Sequence, residues 1–185
     1  MTLSDVVAAY RPRSAEEAAD VARQQALVGD TSKDPWTRSS PLHATGSAVV
    51  LHPPTRRVLL RWHDRQQNWL QVGGHADPGE TDPFLIALRE AGEETGLADL
   101  ARWPDQSAPT PVQITIVPVP AGKGEPAHEH ADVRYLLSTH QPDAASPETD
   151  TATLRWLALD EALSTVAEDN LRICLLRIIA ILGQR

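Results

Sequence analysis

Cysteine, a secretory leader and a long apolar run are absent or nearly absent from this chain of 185 residues. The one cysteine, Cys174, excludes an intrachain disulfide and a cysteine-rich zinc site, and it fits a reducing compartment. The first residues include Asp5 and no basic start before an apolar run, so we expect no signal peptide. The most apolar stretch, residues 175–182, is short and contains Arg177, so we expect no membrane span. These absences predict a cytoplasmic protein.

Positive charge is also scarce, with 17 Lys and Arg against 25 Asp and Glu and a formal net charge of −8. An acidic chain binds the phosphate backbone of nucleic acids poorly, so we expect no general nucleic-acid binding and a small-molecule partner instead. A phosphate compound is still a possible substrate if a metal ion supplies the positive charge. The length and the 41% of hydrophobic residues are enough for one domain with a sizeable core.

The residue pattern predicts helices at both ends of the chain and a sheet between them. Residues 2–29 are predicted to be helical, with Ser14 as an N-cap and Gly29 as a stop, and residues 30–42 form a turn-rich linker. Strands are predicted at 43–52, 56–62, 68–72, 111–119, 131–140 and 152–159. The first two form a hairpin, and the prolines of the fourth place it at a sheet edge. The prediction is an α/β fold with residues 1–40 as a helical extension packing on a domain of residues 41–185.

One predicted helix, from Phe84 to Thr95, carries a crowded set of glutamates. Pro83 suits its first position, Thr81 or Asp82 can cap it, and Gly96 can end it. At about 100° per residue, Glu90, Glu93 and Glu94 share one face. Like charges at helical spacing cost roughly 0.2–0.5 kcal/mol per pair, which a bound cation would offset. Carboxylate oxygens suit Mg²⁺, although an ordinary solvated helix face is the simpler alternative.

The opposite half of this helix is predicted to pack on the sheet. It carries Phe84, Leu85, Leu88, Gly92 and Thr95, with Gly92 permitting close approach. Ile86 falls on the acidic side, which this arrangement does not explain.

The stretch from Gly74 to Leu97 resembles the signature box of Nudix hydrolases. The matching residues are Gly74, Glu80, Arg89, Glu90, Glu93, Glu94, Gly96 and Leu97. Eight residues, rather than the seven of the pattern, separate Glu80 from Arg89, which leaves open how these two side chains meet. The resemblance implies an α/β/α sandwich with a mixed sheet between helices. It also implies Mg²⁺- or Mn²⁺-dependent hydrolysis of a nucleoside diphosphate linked to another moiety.

The same resemblance implies roles for the box residues. Glu90, Glu93 and Glu94 are expected to hold the metal, together with the carbonyl of Gly74. One of these glutamates, or a glutamate outside the box, is expected to activate water. Arg89 is counted with the catalytic residues of the box. Its expected role, like that of Glu80, is to hold the site in place.

A second polar stretch adds further candidates. His128, His130, Asp132 and Arg134 alternate, so on a strand they point to one side and can line a substrate cleft, with Arg134 on phosphate and a histidine near the metal. The alternative is an exposed polar strand face. The remaining candidates are His75 for substrate contact, Glu125 or Glu129 as the carboxylate outside the box, and Trp62 or Trp69 for base stacking, although core packing explains the tryptophans better. His43, at a strand start, is expected to be structural.

Two other functions remain open from the sequence. One is a non-catalytic nucleotide-sensing module, although such modules tend to lose acidic positions that this chain keeps. The other is an isomerase resembling isopentenyl diphosphate isomerases, which use a catalytic cysteine, whereas Cys174 lies in the last predicted helix. The sequence does not choose among nucleotide-type substrates, and residues 1–40 either pack on the core or mediate a homodimer.

Overall fold

The computed structural model describes residues 1–104, 108–122, 124–149 and 152–184. In these residues, five α-helices accompany eight β-strands and one short 3₁₀ turn, Pro142–Ala144. The helices are α1 (Leu3–Ala9), α2 (Ala15–Gly29), α3 (Pro83–Thr95), α4 (Leu159–Thr165) and α5 (Asp169–Gly183). The strands are β1 (Leu42–His52), β2 (Arg57–His63), β3 (Asn68–Leu70), β4 (Val72–Gly74), β5 (Ala101–Arg102), β6 (Gln113–Val119), β7 (His128–Ser138) and β8 (Leu154–Ala158).

The strands form one mixed sheet, in which the long strands β1 and β7 are parallel neighbours. The path across the sheet is β3-β2-β1-β7-β5, while β4 pairs with β1, β6 with β7 and β8 with β2. The predicted hairpin is confirmed, since β1 and β2 are antiparallel with Leu51 opposite Val58. In the described ranges β6 pairs only with β7, which confirms its predicted edge position.

Helices cover both faces of this sheet, so the predicted α/β class is confirmed. Alternate residues of β1 enter two separate cores, with Ala48 and Val50 in one and Val49 and Leu51 in the other. The first core holds the buried residues of α1 and α3, and the second holds those of α4 and α5. Cys174 of α5 is fully buried in the second core, as an apolar residue of that helix should be.

The N-terminal segment, predicted to be helical over residues 2–29 with Ser14 as an N-cap, forms two helices, α1 and α2. Tyr10 is extended, and Arg11 precedes Pro12, which disfavours the helical conformation at Arg11. Ser14 then starts α2 as its N-cap, accepting the backbone N–H of Glu17 at 3.2 Å. A polar network fixes the segment: the buried Glu17 carboxylate accepts from the Tyr10 hydroxyl at 2.5 Å and pairs with Arg177 of α5.

The packing face predicted for α3 is partly wrong. Leu85 is 55% exposed, whereas Ile86, Ala87 and Ala91 are fully buried against the sheet. A Cβ on Gly46 of β1 would lie 2.6 Å from the Pro83 carbonyl oxygen and 3.2 Å from the Ile86 Cβ, so the close approach needs a glycine on the strand. A Cβ on Gly92 would meet nothing nearer than 3.8 Å. Ile86, which the sequence placed on the acidic side of α3, is therefore part of the contact between this helix and β1.

Candidate active site

Helix α3 begins and ends as its sequence predicts. Asp82 is the N-cap and accepts the backbone N–H of Phe84 at 2.9 Å, while Pro83 occupies the first turn. Gly96 ends the helix in the left-handed conformation, at φ 66°. These two caps fix the register in which the glutamates meet the sheet.

Glu90 and Glu94 lie one turn apart between α3 and strand β4. The Glu94 carboxylate accepts the backbone N–H of Gly73 at 3.0 Å and lies 3.2 Å from the guanidinium of Arg61. The Glu90 carboxyl lies against Gly74, where an added Cβ would be 2.6 Å from its carboxyl carbon. Position 74 therefore admits no side chain without displacing Glu90.

Burial perturbs both carboxyls. It raises the pKa of Glu94 to about 7, since the favourable charge of Arg61 and the N–H of Gly73 offset only part of the desolvation and Glu90 adds like charge. Burial is also the main cause that raises the pKa of Glu90. Two half-buried carboxyls that lack full charge compensation fit a hard divalent cation, which takes oxygen ligands.

Glu93 and Arg89 lie at the outer end of the same face. The Glu93 side chain is 52% exposed, and its carboxylate accepts from Arg89 at 2.8 Å. The Arg89 guanidinium also donates to Glu90 at 3.1 Å and to the backbone carbonyl of His75 at 2.8 Å. Arg89 thus ties the glutamate helix to the loop that follows β4.

The extra residue of the box does not separate Glu80 from Arg89. The Arg89 Nε and Nη2 atoms donate to the Glu80 carboxylate at 3.1 and 2.9 Å, which is a paired contact. The loop before α3 also turns on itself, because the N–H of Asp77 donates to Glu80 at 2.8 Å. The insertion is therefore absorbed before the helix starts, and the spacing from Arg89 onward is unaffected.

A cleft of about 520 Å³ lies beside these carboxylates, and Glu90 and Glu94 are part of its lining. The structure brings His75, His130, Asp132 and Arg134 into the same lining. Three of the four alternating residues of β7 therefore face one cavity, whereas His128 is not part of this lining and Glu129 pairs with Arg23 of α2.

Arg134 is fully buried in the floor of this cleft. Its Nε donates to Asp132 at 2.8 Å and its Nη1 to Gln113 at 3.2 Å. Asp132 in turn accepts from the hydroxyls of Thr45 at 2.9 Å and Ser47 at 2.7 Å. The Arg134 Nη2 is buried with no hydrogen-bond partner in the described residues. A buried guanidinium with a free donor suits a phosphate oxygen.

Four histidines cluster beside the cleft, namely His43, His75, His128 and His130. The Nε2 atoms of His43 and His75 are 3.0 Å apart. Burial lowers the pKa of His75 to about 4 and that of His130 to about 3. These rings are therefore neutral at neutral pH, and each nitrogen without a hydrogen is a ligand atom.

Sequence reasoning missed several lining residues, of which two carry charge beside the glutamates. Glu168 precedes α5 and lines the cleft, and Arg61 of β2 reaches Glu94. No sequence pattern distinguishes Glu168 from other carboxylates that precede a helix. The alternation of residues along β2 could have predicted that Arg61 faces the cleft. Glu125 is held by Arg65 at 2.5 Å and by Arg38 at 3.0 Å.

The two tryptophans near the box pack on each other. Trp62 and Trp69 are in edge contact, 5.6 Å between ring centroids, and neither belongs to the cleft lining. Core packing, the explanation that the sequence favoured, is what the structure shows for Trp69, which contacts the second core.

The family model of the NUDIX domain matches residues 42–176. No curated protein matches the sequence. A structure of a C. elegans Ap4A hydrolase binary complex is similar at 20% identity and a TM-score of 0.59, covering 77% of this chain and 98% of that one. An E. coli dihydroneopterin triphosphate pyrophosphohydrolase is similar at 17% identity and a TM-score of 0.55, covering 77% and 97%.

The family match includes the glutamate box, and the two similar structures agree with the mixed sheet and its helices. In the described residues no helix has the length and apolar character to cross a membrane. The NUDIX domain, together with the hydrolase neighbours, supports an enzyme of the pyrophosphohydrolase class. The family generally uses divalent metals and acts on small nucleotide substrates. The chain belongs to the NUDIX family.

Proposed function

We propose that this protein is a Mg²⁺-dependent pyrophosphohydrolase that cleaves the diphosphate of a nucleoside diphosphate linked to another moiety. The observation that carries the proposal is the pair of half-buried carboxyls, Glu90 and Glu94, in one cleft with Arg134, whose Nη2 has no hydrogen-bond partner in the described residues. Carboxylates without full charge compensation suit a cation, and the guanidinium suits a phosphate, so the cleft fits a metal diphosphate.

In this proposal Glu90, Glu93 and Glu94 hold the metal, with the backbone of Gly74 beside them. When bound, the ion neutralises charge on the diphosphate and lowers the pKa of a water. Mn²⁺ has the same preference for oxygen ligands and can substitute. Arg89 holds Glu90 and Glu93 through its donors and is itself fixed by Glu80.

The substrate phosphates are bound by cationic and neutral donors of the cleft wall. Arg134 donates its free Nη2 to a phosphate oxygen, while Asp132 fixes the guanidinium plane. His75 and His130 line the same wall and contact the distal part of the substrate. His128 lies at the edge of this group, since it stacks on His43 at 5.3 Å between ring centroids.

The proton of the attacking water needs a carboxylate acceptor. We propose Glu168 for this role, because it lines the cleft, lies outside the box and pairs with no arginine among the described residues. Water attacks phosphorus, a new P–O bond forms, the bridging P–O bond breaks, and Glu168 takes the proton. Glu125 is paired with two arginines and Glu129 faces away, so neither fits as well.

Product release from a substrate panel tests the proposal. The panel contains ADP-ribose, nucleotide sugars, nucleoside triphosphates and diadenosine tetraphosphate. The last compound is included because one structural neighbour is an Ap4A hydrolase. Wild type is compared with Glu168→Gln and with His140→Gln, an exposed histidine outside the cleft. We expect one class of substrate to be cleaved, with turnover lost in Glu168→Gln and kept in His140→Gln. Binding without turnover of any compound would favour the nucleotide-sensing module.

The division of the chain is part of the proposal. Residues 1–40 act as an extension that packs on the hydrolase domain of residues 41–185, since α2 contacts β6 and Glu17 pairs with Arg177. In this proposal the extension stabilises the hydrolase domain of its own chain. A homodimer and a cytoplasmic location remain predictions from the sequence.

A further inference from the structure

The four-histidine cluster is built from three separate elements. His43 is at the start of β1, His75 follows β4, and His128 and His130 are at the start of β7. The parallel pairing of β1 with β7 sets His43 opposite His130. Ring centroids are 5.0 Å apart for His43 and His130, 5.0 Å for His75 and His130, and 5.1 Å for His43 and His75. The sheet itself therefore holds the rings together.

The ligand atoms of the cluster converge. One ring nitrogen each of His43, His128 and His130 lies within 4.8 Å of the others. The Nε2 atom of His43 lies 3.0 Å from that of His75. Two nitrogens bound to one tetrahedral zinc ion, each at roughly 2.0–2.1 Å, are about 3.3 Å apart. The Nε2 atoms of His43 and His75 are at hydrogen-bond distance and near this spacing, whereas the nitrogens of His128 and His130, at up to 4.8 Å, would move closer on binding one ion.

Hydrogen bonds at the far side of two rings select the ligand nitrogen. The Nδ1 of His43 contacts the Ser40 carbonyl at 2.8 Å, and the Nδ1 of His128 contacts the Pro126 carbonyl at 2.9 Å. A carbonyl accepts only, so each Nδ1 carries the hydrogen and each Nε2 keeps its lone pair. Metal-binding histidines are oriented in the same way.

The fourth observation is an unpaired atom. The Nε2 of His130 is buried and has no hydrogen-bond partner in the described residues. Leaving a buried polar atom unpaired costs about 1–3 kcal/mol, so a missing partner is expected at this atom.

We propose that His43, His75, His128 and His130 form a second metal site, which takes a divalent transition-metal ion of the zinc class. Imidazole nitrogens favour Zn²⁺, Co²⁺ or Ni²⁺, whereas the carboxylates of α3 favour Mg²⁺. The two sites therefore discriminate between metals by ligand type, and the histidine site does not depend on the proposed hydrolysis. Since His75 and His130 line the cleft, its ion lies in the cleft wall.

Titration of the metal-free protein with Co²⁺, in excess Mg²⁺, tests the site. Tetrahedral nitrogen ligation gives Co²⁺ a visible absorption that an octahedral oxygen site lacks, and competition with a chromophoric chelator gives the Zn²⁺ affinity. We expect one equivalent of tight binding in wild type. His130→Gln should weaken Zn²⁺ binding at least 100-fold and His128→Gln at least tenfold. Glu94→Gln and His140→Gln should bind as wild type does.

Two variants protect the test against misfolding. His128 is the first residue of β7 and is partly exposed, so His128→Gln should keep the far-UV circular dichroism spectrum of wild type. Unchanged Co²⁺ spectra and Zn²⁺ affinity in folded His128→Gln and His130→Gln would overturn the proposal. Wild type that takes up no Zn²⁺ in excess Mg²⁺ would overturn it as well, and so would loss of Zn²⁺ binding in Glu94→Gln.

Discussion

The buried carboxyl of Glu94 should make the metal-free protein lose stability as the pH rises. Its side chain is 12% exposed, and its pKa is raised from 4.5 to about 7 in the folded protein. Between these values the folded state holds more protons than the unfolded state, so the free energy of unfolding falls as the pH rises. The contribution of Glu94 is present below about pH 4.5 and is lost by about pH 7.

The magnitude follows from the same shift. At 1.36 kcal/mol per pKa unit, and allowing for partial ionisation at each end, Glu94 should lower the free energy of unfolding by about 2.5 kcal/mol between pH 5 and pH 8. Glu94→Gln keeps an oxygen that accepts from Gly73 but cannot ionise. The difference in unfolding free energy between the variant and wild type should therefore grow by about 2.5 kcal/mol over this range.

Urea unfolding in EDTA, followed by the fluorescence of the five tryptophans, measures this difference. A constant cost, such as the loss of the Arg61 contact, cancels because only the change with pH is used. Glu93→Gln is the matched control, since the Glu93 side chain is 52% exposed and should follow wild type within about 0.5 kcal/mol. If Glu94→Gln shows the same pH dependence as wild type, burial does not perturb this carboxyl.

Three substitutions test other contacts of the site and the fold. Arg89→Lys keeps the charge but loses the paired contact with the first glutamate of the box, so turnover should fall at least tenfold in a steady-state assay without a change in the circular dichroism spectrum. Gly74→Ala places a Cβ 2.6 Å from the Glu90 carboxyl and should abolish Mg²⁺-dependent turnover, whereas Gly92→Ala should keep it and raise the free energy of unfolding by up to about 1 kcal/mol. Glu17→Gln leaves the α5 guanidinium unpaired and should cost about 3 kcal/mol in urea unfolding; a cost under 1 kcal/mol would contradict a fixed N-terminal extension.

Local rules explain why the sequence predicted α3 so closely. A proline at the first turn, an N-cap at Asp82 and a left-handed glycine at position 96 are properties of a few neighbouring residues. The face that packs depends on the sheet instead. Leu85 and Ile86 are both apolar, but Ile86 is the one buried, against a strand distant in sequence where Gly46 permits the close approach.

The candidate site shows the same division between local and distant information. The spacing of the glutamates in the box, and the alternation of His130, Asp132 and Arg134, could be read from the chain. The contact of His43 with His75 could not, because it joins residues 32 positions apart through the sheet. His43 was expected to be structural, and its bond to the Ser40 carbonyl fits that expectation as well as a ligand role.

The paired contact of Glu80 with Arg89 is another case that needed the structure. The insertion between them changes the sequence spacing, but the loop before Pro83 absorbs it, and the two side chains meet at 2.9 Å. A spacing rule counts residues, whereas the contact depends on how a loop returns to its helix. The departure from the pattern therefore has no visible effect on the glutamate face.

The most direct test of the central claim is the dependence of turnover on Mg²⁺ concentration for wild type, Glu90→Gln and Glu94→Gln. The substrate is the compound that the panel identifies, and His140→Gln controls for handling of the variants. We predict no turnover of wild type in EDTA, recovery on adding Mg²⁺, and at least a 100-fold loss in both glutamine variants at any Mg²⁺ concentration. Turnover in EDTA, or full turnover by either variant, would contradict the assignment of these carboxylates to a catalytic metal.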